Sequence, residues 1–427
     1  MLQTIYRGLT EIGGPAIRLY LARRRAAGKE DPARGPERLG CASVHRPSGP
    51  LAWFHAASVG ESLSVLVLIN RLLERYPDLN VLVTTGTVTS AELMARRLHA
   101  RAIHQYVPVD RMPYVRRFLD HWRPDLALWI ESEIWPNLLC EIGRRRIPAA
   151  LVNARMSAGS FRNWSRVPGF IGPLLRTFSL CLAQTELEAD RLRRLGARDV
   201  RCVGNLKFSA EPLPADPAAL AVLRQAFGDR PLWLLASSHP GEEAIAADVH
   251  TALRDRLPGL LTVIVPRHPQ RGGEVSGLLD ERGLASAVRS TGGLPGPEHE
   301  VYVADTVGEL GLFFRLAPVV CVGGSLVPIG GHNPVEPAQL GCAVIHGPHM
   351  TNFSEVAAQL QAGQAAVAIR DGEELAREVG RLLTDDADRS RLAKAAGAVA
   401  DRNRRVVDAV LDALAPTLAA AGIAPCP

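Results

Sequence analysis

The residues of this sequence that could carry chemistry are acids and cations set directly behind apolar runs. His55 to Glu61, read as HAASVGE, puts Glu61 after Gly60 at a helix start. The helix dipole there favours the ionised carboxylate, and an ionised Glu61 could take a proton from a hydroxyl. The plainer reading is an acid that serves only the dipole. Glu131 to Asn137, ESEIWPN, ends another apolar run with Glu131 and Glu133 two residues apart. In extended geometry both point to one side. Burying two carboxylates together is unfavourable unless they have partners or a task, so a functional reading is preferred here. Lys207, in Gly204 to Phe208 (GNLKF), could serve as a point charge for an anion or be an ordinary solvated lysine.

A second group of residues suits an anionic ligand. Arg267 lies between prolines in VPRHPQR and fits a phosphate or carboxylate fork. Ala304 to Leu310, ADTVGEL, gives a strand-to-helix turn with Gly308 and Glu309. Val322 to Gly341, VGGSLVPIGGHNPVEPAQLG, lets the backbone turn tightly at its glycines. Asn333, Pro334 and Glu336 then read as a helix start, with a side-chain cap, proline at the first helical position and an acid. Such a turn holds a phosphate or ribose or forms only a capping box, and the local pattern leaves both open. His239, His268, His346 and His349 read as hydrogen-bonding loop residues and not as a metal site. Asp385, Asp386 and Asp388 read as a turn and helix cap. There is no G-x-x-x-x-G-K-[ST] segment, and no G-x-G-x-x-G follows the first strand.

These residues need strands to hold them. Strands are predicted at 51–55, 80–84, 104–108, 125–130, 149–153, 180–183 and 200–203. After a break they resume at 232–236, 261–265, 301–304, 319–322, 343–346 and 365–369. Helical patterns such as Ser62–Tyr76 and Leu187–Leu195 fill the gaps, which predicts parallel sheets covered on both faces. Ser209 to Pro217, SAEPLPADP, reads as a linker. The domain expectation is an arm at 1–30, one α/β domain at 31–208, the linker at 209–217, and a second α/β domain at 218–427 closed by helices. Ligands of open α/β sheets bind at the carboxyl ends of the strands, so the site is expected on loops facing a cleft between the two domains.

The chain has 427 residues, 47% apolar and 22% charged, and a net charge of +5. This size suits two domains, and the composition excludes a disordered or fibrous chain. Arg7, Arg18, Arg23, Arg24, Arg25 and Lys29 against Glu11 account for the whole excess charge, so the chain is no general nucleic-acid binder. The arm alternates these charges with Leu2, Ile5, Tyr6, Leu9, Ile12, Ile17, Leu19 and Leu21. It is too interrupted to span a bilayer and lacks a signal-peptide layout. A helix in the membrane interface fits best, with a helix docked on the protein as the alternative. Seven scattered cysteines, Cys426 among them, show no Cys-x-x-Cys pair, which suggests a reducing compartment without disulfides or zinc.

Taken in order, HAASVGE, ESEIWPNLL, NARMS, GNLKF, PRHPQR, DTVGEL and VGGSLVPIGGHNPVEP closely resemble the 3-deoxy-D-manno-octulosonic acid (Kdo) transferase family. The resemblance implies the GT-B architecture, two Rossmann-like domains with the active site between them. It implies transfer of Kdo from CMP-Kdo to a lipid A precursor at the cytoplasmic face of the inner membrane, without a cofactor or metal. By matching motifs, Glu61 resembles the general base, and Glu131 and Lys207 resemble groups that support the transition state. CMP is expected on Pro266 and Arg267, on Val307, Gly308 and Glu309, and on Asn333, Pro334, Val335 and Glu336. Asn205 stands where a serine is common in relatives. The alternatives to this reading are a GT-B transferase or epimerase using another nucleotide sugar, and an inactive lipid A binder.

Overall fold

The structure, a computed structural model, describes residues 2–209 and 211–424; Cys426 lies outside them. The chain forms two compact units, residues 1–210 with 403–427, and residues 211–402. The first holds a sheet of β1 (Leu51–His55), β2 (Asn80–Thr85), β3 (Ala102–Tyr106), β4 (Leu126–Ile130), β5 (Ala149–Ala154), β6 (Leu180–Ala183) and β7 (Val200–Cys202). Its order is β3-β2-β1-β4-β5-β6-β7, and neighbouring strands pair in parallel. Leu51–His55 and Leu126–Ile130 are buried at every position, because helices cover both faces of a parallel sheet. Ala52, Phe54, Leu128 and Ile130 pack on one side, and Trp53, Ala127 and Trp129 on the other.

The second unit repeats the plan with β8 (Leu232–Ser238), β9 (Leu261–Pro266), β10 (Ser286–Val288), β11 (Val301–Val303), β12 (Val319–Val322), β13 (Ala343–His346) and β14 (Val367–Ala368). Their order is β10-β11-β9-β8-β12-β13-β14. β10 was not expected from the sequence. It has three residues, and only Ala287 is buried, so it carries little periodicity.

The expected end of the second domain needs correction. Helix Val406–Ala420 packs on the first unit, where Val407, Val410, Leu411 and Leu414 join the cluster of Leu68, Ile69 and Val152. An apolar helix face goes to the surface it can cover, and that surface belongs to the first sheet. The linker also departs from a free connector. Residues 211–216 lack regular structure, but Arg315 donates to the Leu213 carbonyl at 2.7 Å. A Cβ at Gly311 would lie 2.2 Å from the Pro214 carbonyl oxygen, so glycine lets the linker lie directly on helix Leu310–Leu316.

The arm is two helices, α1 (Leu2–Ile12) and α2 (Gly14–Ala26). Of the two sequence readings, the docked helix is seen for α1. Tyr6 donates to Asp110 at 3.0 Å and Asn137 donates to Thr10 at 3.0 Å, which docks α1 on the first unit. Leu9 is still 65% exposed and Ile12 82%, so an apolar stripe stays uncovered. Among the described residues no helix is long and apolar enough to cross a membrane.

Candidate active site and family membership

The first sheet winds outward in opposite directions from the neighbours β1 and β4. Such a switch point leaves a crevice beyond the carboxyl ends of the two strands. Glu61 follows β1 and Glu131 follows β4, so the two predicted acids flank this crevice.

Glu61 stands in the first turn of α3 (Val59–Arg75), capped by Ser58. The Ser58 hydroxyl accepts the Glu61 backbone N–H at 3.3 Å and donates to Glu61 Oε1 at 2.8 Å, while Ala57 N–H donates to Oε2 at 2.8 Å. The Ser58 backbone N–H also favours the ionised carboxylate, so this is a capping box, a structural role beyond the service to the dipole weighed in the sequence. It does not exclude the other role. Burial raises the carboxyl above its ordinary range, the Ser58 and Ala57 hydrogen bonds lower it, and the nearby Glu133 raises it again. A fixed, buried carboxylate with a raised pKa is a better proton acceptor than an exposed one.

Glu131 is pushed up to about 7, first by burial and then by the charge of Glu61, against the pull of Arg155 and Lys207. The strand argument for Glu131 and Glu133 fails here. Glu131 has φ 57° and leaves the strand, so strand alternation no longer sets the two side chains. Glu133 turns to Trp135, whose indole N–H donates to its carboxylate at 2.7 Å. Glu133 still contributes through space, because its charge acts on Glu61.

Lys207 is exposed on the short turn Leu206–Phe208, and its charge reaches Glu131. The turn is anchored from below. Asn153, buried with φ 54°, accepts the Leu206 N–H at 3.0 Å. Gln184 donates to the Asn153 carbonyl at 2.9 Å and accepts from Asn205 at 3.1 Å. Asn205 is therefore a structural clamp behind Lys207. Asn153 and Gln184 were missed as positioning residues, although NARMS contains the first of them.

In the second unit β8 and β12 are the neighbours at the switch point. The glycine-rich loop follows β12 and is held by Glu242, a fully buried acid shortly after β8 that was not singled out from the sequence. Glu242 accepts the N–H groups of His239 at 2.9 Å, Gly324 at 2.7 Å and Leu326 at 3.0 Å. A Cβ at Gly323 would lie 2.4 Å from the Ser237 carbonyl oxygen, so the loop can approach the β8 turn only without a side chain. The same turn brings His239 and His332 together, with Nε2 atoms 2.9 Å apart and rings 6° from parallel. One ring donates and the other accepts, so the pair shares a proton between the two Nε2 atoms. Burial, then His239 and Arg267, push His332 down to about 4.

Pro266 ends β9, and Arg267 follows it, exposed and without a side-chain hydrogen bond or ion pair among the described residues. Its charge acts on Glu336, His239 and His332, so these groups share one neighbourhood. The helix start at 333–336 differs from its sequence reading. Asn333 accepts the Val335 N–H at 3.1 Å and donates to Glu336 at 3.2 Å, and Pro334 is the cap residue, outside the helix Val335–Gln339. Glu336 thus bonds the Asn333 side chain, where a capping box would use its backbone N–H. Val307 is 86% exposed and Gly308 has φ 85°. Glu309 is held by Arg289 at 2.8 Å and by the Thr306 hydroxyl, so its carboxylate shapes the loop. The helices behind these loops have seven and five residues, too short for much macrodipole, which leaves local N–H groups and Arg267 to meet an anion.

The comparisons with known proteins agree with this organisation. A sequence profile described as 3-Deoxy-D-manno-octulosonic-acid transferase (kdotransferase) matches residues 33–210. The chain is 34% identical over 415 residues to the 3-deoxy-D-manno-octulosonic acid transferase of Haemophilus influenzae, covering 96% of this chain and 94% of that one. It is 36% identical over 420 residues to the enzyme of the same name from Bordetella pertussis, covering 93% and 96%. Among solved structures, a glycosyltransferase from Rickettsia africae aligns with TM-score 0.56 at 9% identity, covering 88% of this chain and 99% of that one. The UDP-GlcNAc 2-epimerase of Neisseria meningitidis aligns with TM-score 0.54 at 13% identity, covering 86% and 100%. At such identities these structures speak for the fold, the pair of Rossmann-like sheets of the GT-B class. The relatives similar along nearly their whole length speak for more: this chain belongs to the 3-deoxy-D-manno-octulosonic acid (Kdo) transferase family of glycosyltransferases.

Proposed function

We propose that the chain moves Kdo from CMP-Kdo to a hydroxyl of a lipid A precursor, lipid IVA, with inversion at the anomeric carbon and Glu61 as the general base. The acceptor oxygen attacks the anomeric carbon as the bond from that carbon to the phosphate oxygen breaks. The hydroxyl proton passes to Glu61, and CMP leaves with the bonding electrons. An alcohol is weakly acidic, so a positioned base is required. Glu131, near neutrality in pKa, and Lys207 lie where charge develops and support the transition state. Pro266 and Arg267, Val307 to Glu309, and Asn333 to Glu336 bind CMP, with Arg267 on the phosphate. In this reading Arg267 and loop N–H groups meet the charge of the departing monoester, and no cofactor or metal is assigned a step.

The observation that carries the reading is the pairing of Glu61 and Glu131 across the β1/β4 switch point, close enough for the charge of Glu61 to act on Glu131. The exposed stripe of α1 and the arginines of α2 support a peripheral position at the cytoplasmic face of the inner membrane. The test is purified protein with lipid IVA and either CMP-Kdo or UDP-sugars, read by mass spectrometry. A product heavier by Kdo, formed only with CMP-Kdo, is expected; transfer from UDP-sugars alone would overturn the reading.

A further inference from the structure

We propose that the arm and the segment behind it bind a phosphate-bearing acyl lipid, with the phosphate between Arg18 and Arg111 and a chain along the cleft beneath α2. Two clefts meet at Arg18. The smaller, about 410 Å³, is lined by Gly14, Pro15, Arg18 and Arg111. The larger, about 720 Å³, runs past Leu21, Ala22, Ala26, Pro36 and Leu39. Both volumes are of the size that holds a small ligand.

The smaller cleft presents two cations and no anion. Arg111 is half-buried, its guanidinium 5.0 Å from the Tyr114 ring centroid and 3.5 Å from the Glu11 carbonyl. Its Nε is buried without an acceptor. Asp110 next door does not serve it, because Asp110 already accepts from Tyr6 and from the N–H groups of Asn137 and Leu138. A Cβ at Gly14 would lie 3.1 Å from the Arg111 guanidinium, so glycine lets the start of α2 lie against the charge. Arg18 has no ion pair among the described residues and lines the same cleft. Like charges facing one half-buried space repel, and an anion between them turns the repulsion into charge-assisted hydrogen bonds.

The larger cleft is different in kind. Its acids are already used: Glu30 pairs with Arg24 at 2.7 Å and Arg38 at 3.2 Å, and Asp31 accepts the Ala33 and Arg34 N–H groups. Arg25 is turned to the Pro32 carbonyl at 2.8 Å. What remains along it is aliphatic surface, which favours a hydrocarbon chain. An anion site and an apolar cleft joined at one arginine together describe an amphiphile. Leu9, Ile12, Leu19 and Tyr20 of the same two helices are exposed, so a lipid phase has a surface to meet there.

The test is calorimetry on the full chain with monomeric dihexanoyl phosphatidate, against inorganic phosphate and dihexanoyl phosphatidylcholine. Phosphatidate should bind best. Arg111→Gln, Arg18→Gln and Ala22→Trp should each weaken it by about tenfold or more, with Ile12→Asn unaffected. Arg18 and Ala22 are exposed, so those two variants fold whether or not Arg111→Gln does. Unchanged phosphatidate binding in Ala22→Trp, or inorganic phosphate binding as tightly as phosphatidate, would overturn the proposal. The lipid has two possible sources. A raised KM for the lipid acceptor with kcat kept identifies the acceptor of transfer, an assignment that rests on the proposed function. Lost retention on phosphatidylglycerol vesicles with KM kept identifies a bilayer lipid. A protein that failed to use CMP-Kdo would leave the calorimetric result standing.

Discussion

Ser58 and Glu61 hold each other twice, the hydroxyl donating to the carboxylate at 2.8 Å and accepting the Glu61 N–H at 3.3 Å. One serine therefore both starts α3 and favours the ionised form of the proposed base. Ser58→Ala should lower stability by about 1 kcal/mol, as loss of a cap does. It should also move the acid limb of the kcat/KM profile to higher pH, because the donor that lowers the Glu61 pKa is gone. Denaturant melts and a pH-rate profile check both; a weakened fold with an unmoved limb would leave Glu61 as a cap alone.

Glu131 gives a pH-dependent stability with a definite sign. Its folded pKa of about 7 lies above the ordinary carboxylate value. The folded state thus favours the protonated form, and this contribution is present below about pH 4.5 and lost as pH rises through about 7. Glu131→Gln should be more stable than the parent chain by about 2 kcal/mol at pH 8, with the gap closing by pH 5. It should also slow transfer by about tenfold or more. Parallel melts across this range, with a constant gap between the two proteins, would show that Glu131 is not held near neutrality.

Among the described residues Arg267 makes no side-chain hydrogen bond or ion pair. Arg267→Gln should weaken CMP binding by about 10- to 100-fold and leave the melting temperature unchanged. Calorimetric titration with CMP alongside a thermal melt separates the two effects. A large fall in melting temperature with CMP affinity intact would assign Arg267 to the fold.

Arg289 and Glu309 should behave as one unit. Their ion pair holds the loop that ends in Val307 and Gly308, so Arg289→Met and Glu309→Gln should each weaken CMP binding, and the double variant should be little worse than either. A double-mutant cycle measures this. Fully additive losses would mean that Glu309 meets the nucleotide directly and not through the loop.

The strands were legible because each is a continuous apolar run between turn residues, and β1, β6, β12 and β13 fall where expected. The motif residues stood out as candidates because they are acids and glycines directly after such runs, where open α/β sheets bind their ligands. Less could be read where the cause is tertiary. Nothing local marks Glu242 as the buried acid that collects three N–H groups from two loops, or Asn153 as the anchor of Lys207. The left-handed backbone at Glu131 defeats any inference from strand alternation. The choice of helix Val406–Ala420 to cover the first sheet depends on a partner some hundreds of residues away in sequence. At Glu61 and Asn333 the side chains hold the local turn, and that role is compatible with the ones proposed for them, so the either-or posed by the sequence was itself too narrow.

The central claim is that Glu61 removes the proton of the acceptor hydroxyl, and Glu61→Gln tests it most directly, because glutamine keeps the size and one acceptor of the capping box. Transfer from CMP-Kdo to lipid IVA should fall by about 10²- to 10⁴-fold, with CMP affinity within about twofold of the parent chain and a loss of stability of no more than about 2 kcal/mol. Turnover near that of the parent chain in a folded, CMP-binding Glu61→Gln protein would contradict the account.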